Sequence, residues 1–240
     1  MSKEFRKKLV VLTGAGVSAE SGIKTFRDSD GLWENYKVED VAAVEGWIRN
    51  PSLVLDFYNA RRKQLKGTKP NRAHEIIAEL EKDFDVIVVT QNVDNLHERA
   101  GSTRVLHLHG ELTKVRPVDS YNNKDGYSEK EVIDIGYDSI KMGDLSPSGV
   151  QLRPHIVWFG EAVPNIQKGV VAVESADIII IVGTSLQVYP AAGLYGFAKA
   201  STPIYLIDPK DPMVSDSRLT HIKKVATVGM EEVKNILYSK

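Results

Sequence analysis

Residues 10–27, VVLTGAGVSAESGIKTFR, run from apolar β-branched residues through Gly-Ala-Gly into small hydroxyl residues and then Phe-Arg. That order describes a strand feeding a glycine turn into a helix N-terminus, where free backbone N–H groups and the helix dipole favour a pyrophosphate. Gly14, Gly16 and Ala19 fit the G-x-G-x-x-G/A spacing, in which glycines let the backbone turn tightly and approach phosphates. A plain strand-to-helix connection would carry similar glycines, so this segment needs support from elsewhere. Residues 173–193, VESADIIIIVGTSLQVYPAAG, supply it by repeating the design, with Gly183-Thr184-Ser185 after an apolar run and Pro-Ala-Ala able to begin a helix. A further apolar run, PIYLIDP (203–209), ends on Asp208, roughly 25 residues after Gly183 and near the usual spacing for a ribose-binding carboxylate. The acidic residue expected about 20 residues after the first loop is not obvious, since no strand follows there, so the ribose contact is expected in the far half.

Strand-like runs occur at 8–14, 85–92, 104–110, 155–161, 177–183 and 203–209, most of them followed by helix-compatible segments. The pattern predicts an α/β fold with a largely parallel, doubly wound sheet whose ligands sit beyond the strand C-termini. Two stretches interrupt it. Residues 28–80 read as helical, with Asn50 as a cap, Pro51 at the first helical position and Leu53, Val54, Phe57 and Leu65 on one face. Residues 115–152 are polar, carry Asn-Asn, Asp-Gly and Ser-Pro-Ser-Gly turn signals and have little periodicity.

Composition narrows the function classes. The chain has 240 residues, 42% hydrophobic and 26% charged, enough for one substantial core or a large domain carrying a smaller one. A net charge of −1 gives no electrostatic reason for nucleic-acid or membrane binding. The opening MSKEFRKK is too charged for a secretory signal, and no apolar run approaches membrane-spanning length, so a cytoplasmic location is expected. The absence of cysteine excludes disulfides, a thiol nucleophile and a thiolate zinc site.

If strands end where the runs end, Gln91-Asn92-Val93-Asp94, His109 and Glu161 emerge at the edge that already carries Gly14 and Gly183. Asn92 and Asp94 alternate along an extended segment, an amide and a carboxylate suited to ribose hydroxyls or a carboxamide. Histidine suits proton transfer near neutrality. His107 and His109 both qualify by residue type, and either could instead be a structural hydrogen-bonding residue.

Together, GAGVSAESGIKTFR (14–27), TQNVDNLHERAG (90–101), HGEL (109–112), RPHIVWFGE (153–161), GTSLQVYPAAG (183–193) and the strand ending at Asp208 resemble the sirtuins, the NAD-dependent protein deacylases. The segments span almost the whole chain in the family's order. The resemblance implies a single catalytic domain. Its Rossmann-like part would be residues 1–27, 81–114 and 153–240, and its small part the insertions 28–80 and 115–152. His109, immediately before Gly110, would be the base that deprotonates a ribose hydroxyl, leaving His107 structural. Asn92 and Asp94 would complete the catalytic set. Cofactor contacts would come from Gly14, Ala15, Gly16, Ser18, Ala19, Phe26, Arg27, Trp33, Gln91, Asn92, Val93, Asp94, Gly183, Thr184, Ser185, Asp208, Pro209, Lys210 and Ala226. Val157, Phe159, Gly160 and Glu161 would lie on a strand that pairs with the acylated peptide's backbone, with one of Trp158 and Phe159 in the core. The products would be free lysine, nicotinamide and O-acyl-ADP-ribose, from a monomer acting on acylated-lysine proteins.

Tyr58 and Arg61 stand three apart in FYNARRKQL (57–65), on one helix face, where a phenol and a guanidinium can share a carboxylate. They resemble the Tyr-x-x-Arg pair of the sirtuin subgroup that removes succinyl and malonyl groups; removal of acetyl also fits. Arg62 beside them reads as a solvated helix residue. The chain departs from the family in lacking the four cysteines of its structural zinc site. Asp119, Asp125, Asp134, Asp138 and Asp144 are too scattered to replace them, so a metal-free small domain is expected, packed through Val132, Ile133, Ile135, Tyr137 and Ile140. An ADP-ribosyltransferase or NAD glycohydrolase would share the first chemical step, and a non-catalytic ADP-ribose sensor would need the loops without the base.

Overall fold

The computed structural model describes residues 6–24, 32–33, 36–118, 129–211 and 214–239. In chain order the elements are β1 (Lys8–Thr13), α1 (Gly16–Ala19), β2 (Leu32–Trp33), β3 (Tyr36–Lys37), α2 (Val38–Val41), α3 (Val44–Arg49), α4 (Pro51–Gly67) and α5 (Arg72–Leu80). They continue with β4 (Asp85–Thr90), α6 (Leu96–Ala100), β5 (Val105–His107), β6 (Gly110–Pro117), β7 (Ile133–Asp134) and β8 (Leu152–Ile156). The chain closes with α7 (Ile166–Ser175), β9 (Ile178–Val182), β10 (Ile204–Ile207), β11 (Leu219–Ile222) and α8 (Ala226–Tyr238).

Six strands form one parallel sheet in the order β11-β10-β9-β1-β4-β5. Alternation along β1 sends Leu9 and Val11 to one face and Val10 and Leu12 to the other. The first face is covered by α5 and α8 through Ile76, Ile77, Leu80, Met230 and Val233. The second is covered by α7 and a 3-10 turn through Val170, Val173, Ala191 and Leu194. Both faces are therefore buried, as the unbroken apolar runs require. Because β1 is central, the loops after β1, β4 and β9 open side by side at the sheet's C-terminal edge.

A second core belongs to the smaller part. A three-stranded antiparallel sheet, β7-β6-β8, packs with α3 and α4 through Trp47, Val54, Leu55, Phe57, Leu112, Val115, Leu152 and Trp158. Helix α4 starts as its sequence predicts, with Pro51 in its first turn and the Asn50 side chain accepting from the Leu53 N–H at 3.1 Å. Ile140 is buried in this core, and Ile133, Ile135 and Tyr137 pack against it.

The structure corrects several boundaries. Run 104–110 is two strands: β5 ends at His107, and Gly110 begins β6 in the other sheet. Run 155–161 joins no parallel strand, since Leu152–Ile156 pairs antiparallel with β6 and residues 157–161 leave it. Within the expected insertion 28–80, α5 instead packs on the large sheet, because Ala73, Ile76, Ile77 and Leu80 complete its first face. The small sheet also reaches beyond 115–152, from Gly110 to Ile156. Residues Ala191–Phe197 form a 3-10 helix, and β11 is an edge strand that its half-polar LTHI pattern does not announce. No helix among the described residues is long and apolar enough to cross a membrane, and none of their side chains group as a metal site.

In the cysteine-free stretch 138–152, hydrogen bonds hold the segment. The Gln151 side chain accepts from the Gly143 N–H at 2.7 Å and donates to the carbonyls of Lys141, Asp144 and Leu152. Ser146 and Gly149 close the next turn. Beneath it Arg62, which reads from sequence as solvated, is fully buried. It donates to Asp138 O at 2.9 Å, Leu112 O at 3.2 Å and Asn59 Oδ1 at 2.7 Å. Asn59 in turn clasps both backbone groups of Ile140.

Candidate active site

His109 occupies the joint between the two sheets. Gly110, at φ +82°, makes that joint possible: a Cβ there would meet the His155 carbonyl oxygen at 2.0 Å. The His109 Nδ1–H donates to the Gln91 carbonyl at 3.1 Å, which leaves Nε2 as the basic nitrogen. Burial lowers the pKa of His109, and the bond to Gln91 opposes this only in part. The side chain is therefore a neutral imidazole with a defined tautomer.

His107 differs in kind. Its Nδ1 donates to Asn92 O and its Nε2 to Glu98 Oε1, each at 2.8 Å, an arrangement that needs the imidazolium. Burial lowers its pKa, but the Glu98 hydrogen bond and charge outweigh burial and the net shift is upward. With both nitrogens committed, His107 braces the β4 terminus and has no free base to offer.

The segment after β4 carries the other candidates. Ser18 Oγ donates to Asp94 Oδ2 at 3.0 Å and accepts from Asn92 Nδ2 at 3.2 Å, so one hydroxyl ties the amide to the carboxylate. Both side chains are buried. Burial raises the Asp94 pKa against the hydrogen bonds from Leu96 and Ser18. Behind them lie groups that the sequence reading missed. His74 Nε2 stands 3.4 Å from Ser18 Oγ, and His97 Nε2 stands 3.0 Å from Thr13 Oγ1, which itself donates to Thr90 Oγ1. Burial lowers both histidines, His74 to about 4. The only sequence signal for His74 is its place three residues after Asn71, where it closes a capping box.

The glycine loops behave otherwise than expected. The N–H groups of Gly14, Gly16, Val17 and Ser18 bond to Val182, Gly183, Gly14 and Ala15 carbonyls, because α1 is a single short turn wedged against the second loop. A Cβ on Gly16 would strike Gly183 Cα at 2.6 Å, so these glycines serve loop-to-loop contact, not an open cradle of N–H groups. Ala15 precedes that turn and Ala19 ends it, half-buried and exposed respectively. Gln91 donates from Nε2 to Thr184 Oγ1 at 3.2 Å, bridging to the loop that carries Ser185. Asp208 caps a turn through the Lys210 N–H at 2.9 Å, beside exposed Pro209, and its other carboxylate oxygen has no bond among the described residues. Ala226 begins α8, whose first turn is capped by Glu20 through Thr227. Phe26 and Arg27 lie outside the described residues, and Trp33 is described only as part of β2.

The expected peptide-pairing strip belongs to neither named sheet: Phe159 makes one isolated parallel bridge to Ala43 before the chain turns at Gly160. Val157 N–H bonds to His109 O and Phe159 N–H to Ala42 O, while Gly160 at φ +91° folds the chain back. Glu161 is paired within the protein. Its buried carboxylate receives Arg153 at 2.6 Å, Arg116 at 3.4 Å and the Trp158 N–H at 2.8 Å. Trp158 is core and Phe159 half exposed. Tyr58 is buried, whereas Arg61 reaches a pocket that it lines with Ile23, Gln64, Leu65, Val93, Asp94 and Leu112.

The chain as a whole is similar to known proteins. The Sir2 family model matches residues 14–190. The chain belongs to the Sir2 family. A relative from Bacteroides thetaiotaomicron, named NAD-dependent protein deacylase, is 58% identical over 235 residues, covering 96% of this chain and 98% of its own. A Helicobacter pylori protein of the same name is 55% identical, with 85% of each chain covered. Among solved structures, a Sir2 homologue bound to ADP-ribose superposes with a TM-score of 0.83 at 38% identity, covering 99% of this chain and 96% of that one. A Sir2 homologue bound to NAD gives 0.82 at 38% identity, covering 98% and 91%. Sir2 membership accounts for the two-sheet architecture.

Proposed function

We propose that this Sir2-family protein is an NAD-dependent protein-lysine deacylase, with succinyl and malonyl groups favoured and acetyl accepted. The observation that carries the reading is His109: neutral, fixed in one tautomer by Gln91 and mounted on the Gly110 joint, with Nε2 unspent among the described residues. Such a nitrogen can take a proton from a ribose hydroxyl near neutral pH.

The donor set fits NAD. Asp208 keeps one carboxylate oxygen for ribose hydroxyls, Ser185 and Thr184 line the second loop, and Asn92 and Asp94 offer an amide and a carboxylate to the carboxamide. NAD supplies the electrophilic ribose carbon and the nicotinamide leaving group. Ser18 holds Asn92 and Asp94 in mutual register, and the buried surroundings of Asp94 exclude water from that wall.

For the acyl group, Arg61 places a guanidinium in the pocket shared with Asp94 and Val93, one helical turn from Tyr58. A cation there suits an acyl chain that ends in carboxylate. Val157, Phe159 and Gly160 are our candidate contacts for the peptide, through the Val157 and Gly160 carbonyls and the exposed Phe159 ring, since the Val157 and Phe159 N–H groups and the Phe159 carbonyl are already bonded.

The test uses two variants. His109→Ala should lose deacylation by at least about a hundredfold while still binding NAD. Arg61→Met should lower kcat/KM for succinyl-lysine peptide far more than for acetyl-lysine peptide. Full activity in the first would remove the base assignment, and equal losses in the second would remove the acyl preference.

A further inference from the structure

The Tyr58 hydroxyl is fully enclosed and accepts the Trp158 indole N–H at 3.1 Å. Among the described residues its own proton has no acceptor. Buried phenols normally satisfy their hydroxyl, so an unspent proton at this position calls for an explanation. Burial pushes the phenol's pKa up, against the Trp158 bond and the nearby guanidinium groups of Arg153 and Arg61, which keeps that proton on Tyr58 at neutral pH.

Trp158 is itself immobilised. Its ring lies 5.5 Å from Trp47, and the Arg153 guanidinium stacks 3.3 Å from the ring centroid. Arg153 is gripped by both oxygens of Glu161, which also accepts the Trp158 backbone N–H. The turn that replaced the expected strand therefore builds a rigid mount for one indole N–H.

We propose that Trp158 is a specificity-positioning residue: its indole N–H fills one lone pair of Tyr58, so that the phenol's proton is directed to the terminal carboxylate of an acidic acyl chain alongside Arg61. This rests on the acyl reading given above. Trp158 acts through Tyr58 and touches no substrate in this account.

The test is the ratio of kcat/KM for succinyl-lysine to acetyl-lysine peptide in wild type, Y58F, W158F and the double variant. Loss of one net hydrogen bond predicts a fall in the ratio of roughly fivefold to tenfold in W158F, carried by KM. W158F should add less than about twofold to Y58F. If Y58F lowers the ratio and W158F does not, Trp158 has no positioning role while the acyl reading stands. If Y58F leaves the ratio unchanged, the acyl reading falls and this inference with it. A uniform loss on both peptides in W158F would make its role purely structural and overturn the proposal. Should W158F fail to fold, 15N-tryptophan-labelled wild type with the indole signals assigned through W33F and W47F gives the same answer. The Trp158 N–H should shift more with succinyl-lysine than with acetyl-lysine peptide, and an equal response overturns the proposal.

Discussion

Replacing Arg62 by methionine should unlatch the small module without touching the cleft. Burial pushes the Arg62 pKa down to about 10, so the guanidinium is still charged at pH 7 and depends on its three acceptors. R62M leaves Leu112 O and Asp138 O without this donor, each at a cost of about 1–3 kcal/mol, and leaves Asn59 Oδ1 with the Ile140 N–H alone. Relief of the arginine's own desolvation offsets part of this, and methionine keeps most of the packing. We expect a net loss of about 3 kcal/mol, or roughly 6–12 °C in Tm for a domain of this size. Thermal unfolding followed by circular dichroism, with and without EDTA, reads it. Wild type should melt at the same temperature in both. A loss under about 1 kcal/mol in R62M, or a wild-type Tm lowered by EDTA, would refute the argument that hydrogen bonds replace metal here.

Three further outcomes follow from the geometry. Gly110→Ala forces a Cβ onto the His155 carbonyl from a left-handed backbone, shifts His109 and should cut kcat by about a hundredfold, measurable by steady-state turnover; near-normal turnover would contradict the joint's role. Because burial lowers the His109 pKa and the base must be neutral, the acid limb of kcat/KM should fall below the ordinary histidine value of about 6.5; a limb at pH 7 or above would count against it. His74 and His155 are held neutral, at about 4 and about 3, while the unfolded chain takes up protons from about pH 6.5 downward. Their stabilisation is complete above that pH and is lost as pH falls toward those values, by about 2 kcal/mol each at pH 5. His107, shifted upward, opposes them. Urea unfolding at pH 7 and pH 5 should show the net loss, and equal stability would deny it.

The parallel sheet was legible because its strands, buried on both faces, are nearly uninterrupted apolar runs. The Asn50–Pro51 start of α4 was legible because capping is local chemistry. What escaped depends on contacts distant in sequence. Nothing in VLHLHGEL says that the sheet changes at Gly110; that follows from the approach of His155. Glu161 reads as part of the peptide-pairing strand until Arg153 and Arg116 are seen to enclose it, and Arg62 reads as solvated until Leu112 and Asp138 close over it. Of the two histidines, spacing could not choose. The choice rests on Glu98 occupying one nitrogen of His107 while Nε2 of His109 has no such partner among the described residues.

The most direct measurement is mass spectrometry of the products formed from NAD and matched acetyl-, malonyl- and succinyl-lysine peptides. The account predicts free-lysine peptide with nicotinamide and O-acyl-ADP-ribose in equal amounts, fastest from the acidic acyl groups. Loss of NAD with the peptides left intact would contradict it.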